Sequence, residues 1–289
     1  ITIIITAFKE PRTIARAIEN IGKQKIADEI IIVAPDDETL KEARKMNKKY
    51  KEVRLIRDAG IGKPASLNLA VSKSKGEILI LTDGDVYISQ KALKLIIDKF
   101  KDRKVGAVSG RPVSINDKNT KFGFWAYLLT EIANERRLRA LKLGKRFFCS
   151  GYLFAIRKEL FPELEKEILS EDGLISHNVY GKGYRIAYVE KAEVYVKYPM
   201  NLNDWVKQKR RSAGGYNQIK NLIGIEIRSF RKESSGFADF FGKIRNFREL
   251  IWLMELFIAR IYLWFVIYRD INMRKKGHRD IWLRIESTK

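Results

Sequence analysis

The chain has 289 residues, 45% of them hydrophobic, enough for one large or two small domains with a true core and too apolar for a disordered chain. One cysteine, Cys149, excludes an intrachain disulfide framework and a four-thiolate zinc site, and the two histidines, His177 and His278, lack metal-ligand spacing. The formal charge of +22 points to anionic partners: nucleic acid, anionic lipid or phosphorylated substrates.

The first stretch, Ile1 to Ala7, is a β-branched run that reads as a buried strand. Pro11 suits the first turn of a helix, and Ile14, Ala17, Ile18 and Ile21 then recur at helical spacing. A second apolar strand over Asp28 to Ala34 ends in Pro35-Asp36-Asp37, and a charged surface helix follows over Glu38 to Tyr50. Val53 to Ile56 is a short third strand. The loop Asp58-Ala59-Gly60-Ile61-Gly62-Lys63 comes next, then a helix from Pro64 to Ser74. This loop matches neither G-x-x-x-x-G-K-[ST] nor G-x-G-x-x-G, which disfavours a P-loop ATPase and a dinucleotide enzyme.

Ile78 to Thr82 is a continuous apolar run that enters Asp83-Gly84-Asp85. Two carboxylates at the end of a buried strand repel one another unless a divalent cation joins them to a phosphate, as oxygen-seeking Mg²⁺ and Mn²⁺ do. The same triplet also fits a solvated turn. Strands alternating with helices up to this point predict a parallel sheet with right-handed crossovers. Beyond it, Lys91 to Lys101 reads as helix, Val105 to Ile115 as strand, Phe122 to Leu143 as a long helix and Phe147 to Ile156 as strand. Arg157 to Ile168 reads as a helix interrupted by Pro162, and Glu171-Asp172 opens another helix. Two short strands are expected in Tyr184 to Val196, then a basic helix over Trp205 to Gln218. The linker-like RKESSG, Arg231 to Gly236, sets an expected boundary between domains 1–230 and 231–289.

The last region is basic and aromatic, with 20 Lys and Arg against 9 Asp and Glu from Lys197 to Lys289. Leu250 to Tyr268 has the length of a membrane span but carries Glu255 and Arg260 at its middle. Its aliphatic and Phe side chains favour insertion by about 5 kcal/mol and the two charges oppose it by about 6, so the balance is near zero. An interfacial helix, a span and a soluble core helix all remain open.

Four features then stand in a recognisable order: the β-α-β-α start, D-G-D after the central strand, Glu171-Asp172 at a helix start, and Gln208-x-x-Arg211 on a later basic helix. Together with GIGKPASLNLAV they resemble the GT-A glycosyltransferases of family 2, over about Ile1 to Gly215. The resemblance implies an α/β fold with a central, mostly parallel, Rossmann-like sheet flanked by helices. The C-terminal helical extension beyond it reads as membrane-contacting.

It also implies an inverting hexosyltransferase that uses a nucleotide-diphospho-sugar, UDP-linked in the favoured version, and a lipid-linked or glycan acceptor. Asp85 would ligate Mn²⁺ or Mg²⁺, with Asp83 on the ribose or the metal. Asp172, beside Glu171, would act as general base, although acids in a helix's first turn are favoured for electrostatic reasons alone. Arg211, helped by Arg210, would hold the pyrophosphate, with Gln208 of the same motif among the substrate-binding residues; a solvated basic face, or one meeting lipid headgroups, is the competing reading. Ala7 and Glu10 fall where the opening loop meets the nucleotide. Asp36 or Asp37 would read the base or, equally, cap the following helix. Lys63 would meet phosphate or a carboxylate of the site. The family's Trp after the Q-x-x-R motif is Ser212 here, which counts against processive synthesis and a stacked glycan. The expected location is the cytoplasmic face of a membrane, peripheral or anchored. The alternatives are a GDP-mannose-type donor with a polyprenyl-phosphate acceptor, a basic nucleic-acid-binding protein without zinc-finger or RNP motifs, and a catalytically dead scaffold.

Overall fold

The computed structural model describes residues 1–223, 238–269 and 288. The chain divides into two compact units. Ile1–Val113, Arg137–Lys166 and Glu171–Val196 form the first; Ser114–Arg136, Glu167–Ser170 and the chain from Lys197 onward form the second. The boundary expected at Arg231–Gly236 lies outside the described residues.

In the first unit β1 (Thr2–Thr6), β2 (Glu29–Ala34), β3 (Val53–Arg57) and β4 (Ile78–Asp83) pair in parallel in the order β3-β2-β1-β4. The runs TIIIT and EIIIVA are buried at every position, as strands covered on both faces must be. Helix α1 (Ile14–Gly22) turns Ile14, Ala17, Ile18 and Ile21 inward, the face its spacing predicts. α2 (Asp37–Met46), α3 (Lys63–Lys73) and α4 (Ala92–Asp98) complete this part. Beyond β4 come β5 (Tyr87–Ile88), β6 (Val105–Ser114), β7 (Leu153–Arg157) and β8 (Arg185–Val196), which extend the sheet in the order β4-β7-β6-β8-β5. The pairs β4 with β7, β6 with β7 and β5 with β8 are antiparallel. The sheet is therefore mixed, with its parallel part at the start of the chain.

Three stretches differ from the sequence expectation. Residues 161–168 do not form a helix. Pro162 lacks an N–H, and the Asn68 side-chain amide takes both backbone groups of Leu164, accepting from its N–H at 3.0 Å and donating to its carbonyl at 2.8 Å. Phe147 to Tyr152 does not join β7. Instead, α6 (Glu171–Gly181) presents Asp172, Ser176 and Tyr180, four residues apart, to that strip. Gly151 N–H donates to Asp172 Oδ2 (3.1 Å), Cys149 N–H to Ser176 Oγ (2.9 Å) and Phe147 N–H to Tyr180 Oη (3.2 Å). Side chains thus replace a sheet ladder. Finally, Arg185 to Val196 is one strand rather than two, with Arg111 within 3.7 Å of both Glu190 and Glu193.

The second unit is helical. α5 (Lys121–Lys142) belongs to it up to Arg136, with α7 (Leu202–Ile223), the short α8 (Ala238–Phe241) and α9 (Phe247–Tyr268). Its core gathers Phe124, Trp125, Leu128, Trp205, Phe240 and Leu256. Trp125 Nε1 donates to the Trp252 carbonyl at 2.7 Å, tying α5 to α9. Asn246 caps α9 by accepting from Glu249 N–H at 3.0 Å, and Glu249 accepts in return from Arg245 N–H at 2.7 Å.

Candidate active site

Ligands of open α/β sheets bind beyond the carboxyl ends of the parallel strands. There β1 and β4 lie side by side with Thr6 opposite Asp83. Thr6 Oγ1 donates to Asp83 Oδ1 at 3.0 Å, and Gly84 N–H donates to the Thr6 carbonyl at 2.9 Å. Gly84 is required here by space: a Cβ would stand 2.5 Å from Glu10 Oε2 and 2.9 Å from the Ala7 Cβ. The D-G-D turn and the β1–α1 loop are thus packed against one another.

Lys63 opens α3 after a loop whose Gly60 (φ 66°) and Gly62 (φ 128°) take left-handed conformations. Asp58 fixes that loop, accepting from Gly60 N–H and from Ser66 Oγ, each at 2.6 Å. The ammonium of Lys63 lies 2.7 Å from Asp83 Oδ1 and 3.1 Å from Glu171 Oε1. Burial alone would lower its pKa, but the two carboxylates outweigh burial and hold it well above the ordinary lysine value. One cation therefore joins the end of β4 to the start of α6. Asp172 follows Glu171 in the first turn of α6, where the macrodipole favours an acid. Its Oδ1 accepts from Gly173 N–H at 2.8 Å, while its Oδ2 holds Gly151. Beneath it Cys149 is buried, and burial pushes its thiol up to about 12.

Asp36 is the N-cap of α2. It accepts from Thr39 N–H (2.9 Å) and Thr39 Oγ1 (2.6 Å), and its second oxygen accepts from Lys9 N–H at 2.8 Å. Thr39 Oγ1 in turn accepts from Glu10 N–H at 2.8 Å. Burial would raise the Asp36 pKa, yet these hydrogen bonds lower it below the usual carboxylate value. Asp36 thus secures the loop that carries Ala7 and Glu10. Asp37 is exposed and pairs with Arg57. Gln208, Arg210 and Arg211 lie on α7 of the second unit, with Gln208 buried and both arginines half-buried.

Asp85 follows the turn and is half-buried; burial, and after it the Asp85 charge, push the Tyr87 hydroxyl up against the pull of Arg16. Among the described residues no three His, Cys, Asp or Glu side chains form a metal-holding group. Asp83 and Asp85 nevertheless offer only carboxylate oxygens, the donors Mg²⁺ takes one or two of while phosphate and water supply the rest. The donor set fits such a cation.

Thr6 and Asn68 are not among the site residues that the sequence indicates. A signal for Thr6 exists, a polar residue ending an apolar strand. The pairing of Gly151 with Asp172 is set by tertiary structure and has no local signal.

The family model for Glycosyl transferase family 2 matches residues 2–165, more than half of the chain. The chain belongs to glycosyl transferase family 2. Among its curated relatives, this family member is 27% identical over 240 residues to "Probable glycosyltransferase YdaM" of Bacillus subtilis (strain 168), covering 76% of this chain and 56% of the relative. It is 25% identical over 231 residues to a "Poly-beta-1,6-N-acetyl-D-glucosamine synthase" of Staphylococcus aureus (strain COL), covering 76% of this chain and 55% of the relative. The chain spans about half the length of the curated relatives it matches. Among solved structures it resembles the mannosyltransferase PcManGT from Pyrobaculum calidifontis in complex with GDP-Man and Mn²⁺, with a TM-score of 0.60, 19% identity, and coverage of 76% of this chain and 64% of that one. GalNAc-T7 with UDP, GalNAc and Mn²⁺ gives a TM-score of 0.53, 17% identity, and coverage of 83% and 54%. These likenesses establish the GT-A fold of this glycosyl transferase family 2 chain.

Proposed function

We propose that the protein is an inverting hexosyltransferase that moves a sugar from a nucleotide-diphospho-sugar, UDP-linked in the favoured reading, to a lipid-linked or glycan acceptor. The observation that carries this reading is the Lys63 ammonium, which joins Asp83 of D-G-D to Glu171 of E-D. Asp85 and Asp83 would hold Mn²⁺ or Mg²⁺, whose charge when bound offsets that of the nucleotide diphosphate. The solved neighbours that contain Mn²⁺ support that requirement. Asp172 takes the proton of the acceptor hydroxyl as its oxygen bonds to the anomeric carbon and the bond to the diphosphate breaks. Glu171, held by Lys63, fixes the first turn of α6 and with it Asp172. Ala7 and Glu10 would border the nucleotide, Asp36 or Asp37 would serve its base, Arg211 helped by Arg210 would contact the pyrophosphate, and Gln208 would join the substrate-binding residues. In this reading residues 1–230 are the catalytic part and residues 231–289 the C-terminal extension. Transfer takes place at the cytoplasmic face of a membrane in this reading. The length and apolar composition of α9 support membrane contact.

The direct test is thermal stability with UDP-, GDP-, dTDP- and CDP-sugars, with and without Mn²⁺ or Mg²⁺. A ligand at a hundred times its Kd stabilises the fold by about 2.7 kcal/mol. A protein that no nucleotide stabilises with either metal, and that binds DNA with a steep salt dependence, is a nucleic-acid-binding protein instead.

The GDP-Man in the PcManGT complex favours a second version, a GDP-mannose-type donor with a polyprenyl-phosphate acceptor. That acceptor is already anionic and needs no base. Asp172→Asn separates the two: activity falls by about a hundredfold or more with a sugar hydroxyl as acceptor and is largely retained with a polyprenyl phosphate.

A further inference from the structure

α9 contains 22 residues and is about 33 Å long, close to the roughly 30 Å of a bilayer's hydrocarbon core. It has two apolar faces. The inner one, with Leu253, Leu256, Leu263, Val266 and Ile267, is buried. The outer one carries Phe247, Ile251, Met254, Ile258, Ile261 and Phe265 at alternating steps of four and three, all exposed, with Phe247 at 76%, Ile258 at 66% and Phe265 at 62%. No charged side chain interrupts this outer stripe. The two central charges that oppose insertion in the sequence are turned elsewhere. Glu255 pairs with Lys121 of α5 at 3.4 Å, and the Arg260 guanidinium lies 5.9 Å from the centre of the Phe240 ring.

We infer that α9 lies in the plane of an anionic bilayer, its outer stripe in the acyl boundary, and does not cross it. This deepens the membrane part of the function proposed above and rests on it. The packing of the inner face carries the orientation, and the flanking charge carries the choice of lipid. The inner face packs along its length within a helical unit whose α7 bears Lys207, Lys209, Arg210 and Arg211 and whose α5 bears Glu131 and Glu135. A transmembrane α9 would take those charges into hydrocarbon or lose its packing. An in-plane α9 keeps both faces satisfied, with protein on one and acyl chains on the other. The charge sign selects the lipid: Arg245 and Arg248 stand at one end of the stripe and Arg269 at the other, on a chain of net charge +22.

The test is sedimentation of the protein with vesicles of phosphatidylcholine alone or with phosphatidylglycerol. Wild-type protein is expected to bind the anionic vesicles, more weakly as salt rises. Ile258→Glu with Phe265→Glu lowers the partition coefficient by about tenfold or more. Both positions are exposed, so helix content and the nucleotide-induced thermal shift stay as in wild type; Ile258→Ser with Phe265→Ser serves as a second variant if the first does not fold. Orientation is read from depth-dependent quenching of a fluorophore on Ile251→Cys, Ile258→Cys or Phe265→Cys. Cys149 does not compete for the label, being buried with its thiol at about 12. An in-plane helix places all three labels at one shallow depth. A label at position 258 far deeper than those at 251 and 265 means a span and overturns the inference. So does undiminished vesicle binding by the variants. So does a wild-type dimer that the variants split without any lipid binding, since the stripe then meets a second copy. A nucleotide-induced thermal shift that persists without vesicle binding overturns the docking alone and leaves the transferase reading standing.

Discussion

Lys63 is a single positive charge between two carboxylates of different elements, and its removal leaves Asp83 and Glu171 in mutual repulsion. Lys63→Met is expected to cost about 1–3 kcal/mol in urea unfolding; breaking a fully buried pair costs more, but this group is partly solvated. Lys63→Arg keeps the charge and loses less. The pH dependence follows from the raised pKa. The Lys63 contribution is fully present below the ordinary lysine value of 10.5 and is lost as pH rises from there through the folded value. Wild type and Lys63→Met therefore differ by a constant amount across neutral pH and converge only in strong alkali. A difference that vanishes near neutrality would contradict the pairing. Asp36 runs the other way. Its lowered pKa makes its stabilising contribution present at neutral pH and lost as acid titrates it through the folded value.

Side-chain amides do the work of secondary structure at several joins between elements. Asn68 holds Leu164 by both backbone groups, and Asn20 holds Ile88 in the same way, accepting from its N–H at 2.7 Å and donating to its carbonyl at 3.0 Å. Asn116 does so for Tyr198 in the second unit, at 2.8 and 2.9 Å. Such a bridge needs one donor and one acceptor on the same group. Asn68→Asp keeps the shape, removes the donor and sets two acceptors together beside buried Leu164, so it is expected to cost about 1–3 kcal/mol in chemical denaturation. Equal stability of Asn68→Asp and wild type would show that the bridge contributes nothing. The same elements explain what the sequence reveals. β1, β2 and β4 are runs of buried β-branched or aliphatic residues, and periodicity alone places them. Residues 147–151 and 161–168 look like strand and helix by composition. Their backbone partners are Asp172, Ser176, Tyr180 and Asn68, distant in sequence and invisible to any local window.

At the scale of the molecule, the charge balance of the site differs from that of a metal-dependent fold. A structural metal site typically unfolds on chelation because its ligands repel without the ion. Here Lys63 is already seated between carboxylates. EDTA is expected to leave the melting temperature unchanged while abolishing any metal-dependent gain from the nucleotide-sugar. A large fall on chelation alone would mean that a metal is part of the fold. The alternation of strands and helices made the parallel start of the sheet legible. The antiparallel continuation through β7 and β6 was not, because strand direction there follows from long connections that leave no periodic trace.

The ladder between α6 and residues 147–151 narrows the evolutionary freedom of position 172. Asp172 both stands in the E-D pair and holds Gly151 to its helix, so the position answers to two demands at once. Glutamate would displace the carboxylate by a methylene, and alanine would release the strip. Asparagine keeps one oxygen at the same reach but sets an NH₂ donor where the second oxygen stood, so it can accept from Gly151 N–H or from Gly173 N–H and not from both.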